Sequence, residues 1–332
     1  MSTIRDIARR AGVAVSTASL ALNDDRRVRP ETRQRVLEAA EALDYHPMRA
    51  ARSLSHGVTW SLHLLDPERS GALSGGFFTR LVRGIHDTAR ERGYSFALSI
   101  LDDEAEAQSV AERLVRERWT DGIILMNPSA GPAILEQLTE NAFPVVVLGR
   151  ASVASAPSVD NDNVRAARDA TAHLLRSAPG PVLLLNGPEH QTFTLDRAEG
   201  YRRAVCEAGA DPDPRLVRFI AGDADAAHRE VLRALDDGIR FRSVLAVSDG
   251  MAVGAMRALR EHGRRIPDDV AVMGMNNDDL AEYTDPRLSS VELNAFELGS
   301  RATELLLAAV RGEAGSGQRC IVPHTLALRE SA

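Results

Sequence analysis

From residue 60 to residue 273, short apolar runs alternate with amphipathic helical stretches. This alternation constrains the fold more than any other feature of the chain. The apolar runs lie at 60–65, 95–100, 122–126, 145–148, 182–185, 217–220, 243–247 and 270–273. Helical patterns lie between most of them, at 77–92, 105–117, 134–141, 163–175, 198–209, 224–235 and 250–262. Short buried strands alternating with helices give a parallel sheet covered on both faces. There are too many strands for one small sheet, so two such subdomains are expected. A strongly amphipathic helix at 295–311, a turn-rich break at 312–317 and a strand-like Cys320-Ile321-Val322 end the pattern.

The first 45 residues read differently, as three short helices. Thr3-Ile4-Arg5-Asp6 has an oxygen-bearing cap followed three residues later by an acid. Ile4, Ile7, Ala8 and Ala11 then recur at helical spacing. Gly12 stops this helix, since glycine accepts the left-handed conformation. A second helix runs from Val15 to Leu22 and ends at Asn23-Asp24-Asp25. A third begins at Pro30, a residue suited to a first helical turn, with Val36, Leu37, Ala40 and Leu43 as its inner face. Residues 47–57 form a short connector.

A chain of 332 residues suggests two or three domains. No apolar run reaches the 18 or so residues of a membrane helix, and the N-terminus lacks the apolar core of a signal peptide. No membrane association and a cytoplasmic location are therefore expected. Cys206 and Cys320 have no metal-ligand spacing and read as unrelated thiols. The net charge of −7 hides an asymmetry: residues 1–57 carry ten arginines against seven acidic residues, a balance of +3, leaving −10 on the remainder. A basic head on an acidic body suits phosphate contact at one end. All 40 basic residues are arginine, which excludes a P-loop lysine and Schiff-base catalysis.

Helix, glycine turn, helix is an arrangement that places a second helix in a major groove. Ala18, Ala21 and Leu22 can pack on the first helix, leaving Val15, Ser16, Ser19 and Leu20 outside. Spacing alone favours an ordinary surface helix of a bundle over this reading. The local string is more specific. Thr3–Ala8, Ala11-Gly12-Val13, Ser16–Asn23, Arg29–Val36, Leu43–Pro47 and Ala51-Arg52-Ser53-Leu54 closely resemble the head of the LacI/GalR family of bacterial transcription regulators.

That resemblance implies roles for particular residues. Val15, Ser16 and Leu20 match base-reading positions. Thr17, Ser19 and Asn23 match positions that hold phosphates or the fold. Arg52 and Leu54 match a hinge helix whose leucine wedges into the minor groove and kinks the duplex. Two residues depart from the pattern. Ala14 replaces a capping serine, a loss of roughly 0.5–2 kcal/mol, and Ser16 could cap a shorter helix instead. Leu20 replaces a frequent arginine and so cannot grip a guanine by two hydrogen bonds.

The resemblance extends to the body, implying a periplasmic-binding-protein-like core with a small effector between two lobes. Ligands of open α/β sheets bind at the carboxyl ends of strands. Arg197, in Leu195–Tyr201, is the first candidate for effector contact. Asp249, in Val247–Ala252, is the second. Asn276 stands where the family has an acid, and its amide can both donate and accept. Arg150, Phe77, Asp160 and Asn161 are further candidates, the last two as either crossover or pocket residues. Carboxylate and guanidinium together suit a sugar or related polar metabolite.

The fold class expected is therefore α plus α/β: a helix-turn-helix head at 1–46, a hinge or linker at 47–57, and a body at 58–332. The body divides into an N-subdomain of about 58–158 plus 286–315 and a C-subdomain of about 159–285 plus 316–332. The partners implied are a near-palindromic duplex operator, a small effector and a second copy of the chain. Repression relieved by the effector is the expected sign, a corepressor arrangement the alternative. No catalytic motif such as Gly-x-Ser-x-Gly or His-Glu-x-x-His occurs. No enzymatic activity, cofactor or metal site is expected, and a sugar-modifying enzyme or a solute-binding protein on the same body is the remote alternative.

Overall fold

The computed structural model describes residues 2–23, 25–45, 57–66, 75–101, 103–126 and 133–332. The chain divides into two compact units, Met1–Trp60 and Ser61–Ala332. Arg52 and Leu54, and with them the expected hinge, lie outside the described residues.

The first unit contains α1 (Ile4–Ala11), α2 (Val15–Leu22) and α3 (Pro30–Ala42). The Asp6 carboxylate accepts hydrogen bonds from the backbone N and the hydroxyl of Thr3, which fixes the entry to α1. Gly12 closes α1 at φ 65°, a left-handed turn that a side chain would strain. Ile7, Ala8, Ala11, Ala18, Ala21, Val28, Val36, Ala39 and Ala40 form the core. Leu37 was expected inside and is 45% exposed. Ala39 takes its place, because the buried face of α3 runs Val36, Ala39, Ala40.

The second unit holds two six-stranded sheets. The first has β1 (Ser61–Asp66), β2 (Ser95–Ile100), β3 (Gly122–Met126), β4 (Val145–Leu148), β5 (Ser158–Asn161) and β11 (Arg319–Val322), in the order β11-β5-β4-β3-β1-β2. All its pairs are parallel, with Leu64 opposite both Ile124 and Leu98. Its strands read as continuous apolar runs because both faces are covered. On β3, Ile124 and Met126 meet α4 (Gly76–Glu91) and α11 (Ala295–Val310). Ile123 and Leu125 turn the other way, toward α5 (Glu104–Arg116) and α6 (Ala133–Glu140).

The second sheet has β6 (Val182–Asn186), β7 (Val217–Phe219), β8 (Ser243–Ala246), β9 (Ala271–Met275), β10 (Ser289–Glu292) and β12 (Thr325–Ala327), in the order β12-β10-β9-β8-β6-β7. Only β12 runs antiparallel, along β10. Its helices are α7 (Asn163–Ser177), α8 (Thr192–Glu207), α9 (Ala224–Asp236) and α10 (Asp249–Glu261). Side-chain caps start three of them: Asp162 accepts from Arg165 N at 2.9 Å, Asp223 from Ala226 N at 2.7 Å, and Ser248 from Met251 N at 3.2 Å.

The chain passes between the sheets three times, after β5, after β10 and after β11. This corrects the expected subdomain boundaries. β5 and β11 belong to the first sheet, and β10 to the second, so the breaks fall later than 158, 285 and 315. The strands β5, β10 and β12 were not read from the sequence. Ser158-Val159-Asp160-Asn161 and Ser289-Ser290-Val291-Glu292 are polar yet almost fully buried, and only their sheet neighbours make them strands.

Candidate nucleic-acid interface and effector cleft

In the first unit, α2 begins at Val15 with Ala14 at its N-cap and no side-chain cap. The full helix forms without the missing serine, and Ser16 stays inside its first turn rather than capping a shorter one. Ala18 and Ala21 are buried, whereas Val15, at 44% exposure, and Ser16 are bare. Thr17, Ser19 and Asn23 are half-buried. The hydroxyls of Ser16, Thr17 and Ser19 make no hydrogen bond among the described residues, so they are open to an external acceptor or donor. Leu20, expected on the outer face, is half-buried and packs on the head core. It sits near the boundary of the apolar stripe, which explains why leucine is tolerated where a long cation could stand.

The arginines around this helix divide into two groups. Arg27 pairs with Asp25 at 2.7 Å and holds that carboxyl at about 2, mainly through the side-chain hydrogen bond. Arg9 lies 3.5 Å from Asp6. Arg5, Arg10, Arg26, Arg29 and Arg35 are exposed with no ion-pair partner among the described residues. Free guanidinium groups of this kind neutralise phosphates. The sequence shows their number; which of them are unpaired depends on the folded positions of Asp6 and Asp25.

In the second unit, polar residues gather where strand ends of the two sheets meet helix starts. Arg197 on α8 is the centre of one cluster. It is only 7% exposed, donates through Nε to Asn163 Oδ1 at 3.0 Å and through Nη1 to the Val247 carbonyl at 3.0 Å. Its guanidinium lies 4.8 Å from the centre of the Phe193 ring. Burial pushes it down to about 10, so it remains a cation at neutral pH. Asn163 in turn donates to Asp160 Oδ1 at 3.1 Å. Asp160 is buried and pushed up to about 6 by desolvation. Arg150, after β4, lies 3.3 Å from Asp196 on α8, an ion pair from one lobe to the other.

Three expected effector residues are placed otherwise. Asp249 is fully buried, and its oxygens accept from Asp278 N at 2.6 Å and Ser290 Oγ at 2.6 Å. Each oxygen thus has a partner inside the lobe, and the carboxyl ties α10 to β10. Asn161 donates to the carbonyls of Leu293 at 3.0 Å and Val322 at 2.9 Å. One amide thus joins all three crossovers, which makes it a crossover residue. Phe77 is half-buried against the cores of both lobes and is packing rather than an open stacking face.

Asn276 is half-buried at φ 102°, with no side-chain hydrogen bond among the described residues. It keeps the freedom expected of a ligand contact. Phe193, Asn163, Asp196 and Ser248 were not singled out from the sequence. The polar run Asp160-Asn161-Asp162-Asn163, immediately after an apolar strand residue, was the available signal for Asn163.

Two family models match the chain: bacterial regulatory proteins of the lacI family over residues 3–48, and a periplasmic binding protein-like domain over residues 179–332. The ribose operon repressor of Halalkalibacterium halodurans is 32% identical over 331 residues, covering 100% of this chain and 97% of that protein. The solved complex of the transcriptional regulator CelR with cellobiose is 29% identical, covers 100% of both chains and superposes with a TM-score of 0.77. A lac repressor dimer bound to operator and an anti-inducer shares the fold, with a TM-score of 0.88, 23% identity and coverage of 99% of this chain and 98% of that one.

Proposed function

The chain belongs to the LacI family of bacterial regulatory proteins, and on that premise we propose that it is a sequence-specific DNA-binding transcription regulator controlled by a small polar effector. The observation that carries this reading is the first turn of α2, where Val15 and Ser16 are bare while Ala18 and Ala21 anchor the helix behind them. A major groove is about 12 Å wide and admits one such helix. Val15 supplies apolar contact to a thymine methyl, Ser16 a hydroxyl to base edges, and Thr17, Ser19 and the unpaired arginines contact the phosphates. Leu20 adds only its outer edge.

The cleft is the effector site. Arg197 offers donors, the Phe193 ring an apolar face, and Asn276 a donor and an acceptor; a sugar presents hydroxyls and a C–H face that match all three. Relatives support this class: one was solved as a cellobiose complex, and another is a ribose operon repressor. Two copies of the chain would place two heads on a near-palindromic site, each weak alone and strong together. Residues 1–46 act as the reader, 47–57 as the linker and 58–332 as the sensor. Effector binding relieves repression, and reciprocity requires that DNA weaken the effector by the same factor. The protein acts as a regulator in the cytoplasm, where its DNA is, and not as an enzyme.

The test is selection of a duplex from a randomised pool by the full-length chain, followed by titration at several salt concentrations. We expect a selected near-palindrome whose affinity falls steeply with salt, and loss of that affinity for Val15→Asp. Equal affinity for selected and random duplexes would overturn the reading.

A further inference from the structure

The lobes also meet through a second arginine. Arg80 on α4, in the first lobe, reaches the loop after β9 in the second. Its Nη1 donates to the Asn277 carbonyl at 2.9 Å and its Nη2 to the Asn276 carbonyl. Nη2 also lies 3.6 Å from Asp278 Oδ1, and Nη1 3.7 Å from Asp279 Oδ1. One guanidinium therefore faces two carbonyls and two carboxylates across the lobe boundary, a fork geometry that arginine supplies and lysine does not.

The acceptors depend on an uncommon backbone. Asn276 and Asn277 have φ of 102° and 50°, two successive left-handed residues without a glycine. Such backbone persists only where its surroundings over-determine it. Asn277 is held from its own lobe at three further atoms. Its N donates to Ser290 Oγ at 3.0 Å, its Nδ2 to Glu292 at 3.0 Å, and its Oδ1 accepts from Arg329 at 2.8 Å. The loop is thus held from its own lobe, and Arg80 is the contact that reaches it from the other.

The start of α4 is shaped for the same contact. A Cβ on Gly76 would lie 2.9 Å from Asp278 Oδ1, so a larger residue there would have to displace that carboxylate. The amides of Gly76 and Phe77 face the Asp278 carboxylate and offset part of the desolvation that pushes its pKa up. Asp278 is nearly buried and Arg80 mostly so. A pair this sheltered, with two carbonyl bonds beside it, is screened far less than a surface ion pair.

We infer that Arg80 is a latch that holds the two lobes closed at this edge without any bound molecule. It sets how readily the cleft opens, and so regulates effector entry without touching the effector. Its regulatory role rests on reading the cleft as the effector site; the latch itself does not. A two-lobed protein populates its open form in proportion to the free energy of its interlobe contacts.

The test is a spin-label distance between the lobes in the full-length chain, with no ligand added. Labels go on the exposed Cys206 of α8 and on Arg116→Cys of α5, with Cys320→Ser removing the third thiol. The parent should give one narrow distance. Arg80→Gln should raise a second, longer component at least about tenfold above its trace level, and Arg80→Lys should fall between. Gly76→Ala, which leaves Arg80 in place but wedges Asp278 away, should shift the distribution the same way. Unchanged distances in both Arg80→Gln and Gly76→Ala, with melting temperatures intact, would overturn the latch. Failure of the effector reading would look different: no sugar would raise the melting temperature, while these ligand-free distances still responded.

Discussion

The two units are built from different materials. Six of the nine buried core residues of the head are alanine, with only Ile7, Val28 and Val36 larger. The body packs leucine, isoleucine and valine on both faces of its sheets, as in Ile123, Ile124 and Leu125 of β3. Burial stabilises by roughly 25 cal/mol per Å² of apolar area, so alanines contribute little each. They do favour helix locally and let short helices pack closely. The head is therefore a thin-margined, locally determined unit that leaves α2 bare on its outer side. The body is a nonlocal assembly whose cost of ordering is offset by large buried side chains.

The sharpest way to break this contrast is a matched pair of truncations. Ile7→Ala and Leu183→Ala each remove a fully buried side chain, at about 2–5 kcal/mol apiece. In the head that is most of what a domain of that size has. Calorimetry of the full chain should show the head transition lost for Ile7→Ala, with DNA binding, and the body transition only lowered for Leu183→Ala. A head that still melts as in the parent would show that the alanines carry more than area suggests.

A second contrast is in pH. In the head, the Asp25 carboxyl is lowered to about 2, chiefly by its side-chain hydrogen bond with Arg27, so its contribution is present above the unfolded value near 3.8 and is lost as pH falls through about 2. Asp249 in the body is raised to about 7, chiefly by burial. Its folded form binds a proton more readily than its unfolded form. Its contribution is thus complete below about 4 and lost as pH rises through about 7. Asp249→Asn should make the melting temperature of the body fall less steeply between pH 4 and 7, the remaining slope coming from Asp160, while leaving the head's profile alone. Parallel profiles for parent and variant would refute the assignment.

The smallest expected effect sharpens the boundary of the head core. Leu37 has helical spacing for burial but is exposed, so Leu37→Gln should change stability by less than about 0.5 kcal/mol. A loss several times larger, measured by denaturant unfolding, would return Leu37 to the core.

Much of this molecule was legible beforehand because its signals are local. Helix starts at Thr3 and Pro30, the stop at Gly12, and the β-α alternation from residue 60 each depend on a few neighbouring residues, and all are found in place. Arg197 stands in a segment the sequence singled out, and the fold buries it in a polar cluster with Asn163 and the Val247 carbonyl. The tertiary structure decided what no short window contains. Asp249 and Asn161 have the polar chemistry of ligand residues, but the fold buries them and gives them Ser290, Asp278, Leu293 and Val322 as partners, which are distant in sequence. β5 and β10 are strands because buried polar backbone must find partners, and the partners come from other crossings of the chain. Local sequence sets which conformations and side-chain chemistries are available; whether a polar group faces a cleft or is consumed inside the fold depends on long-range neighbours that only folding brings together.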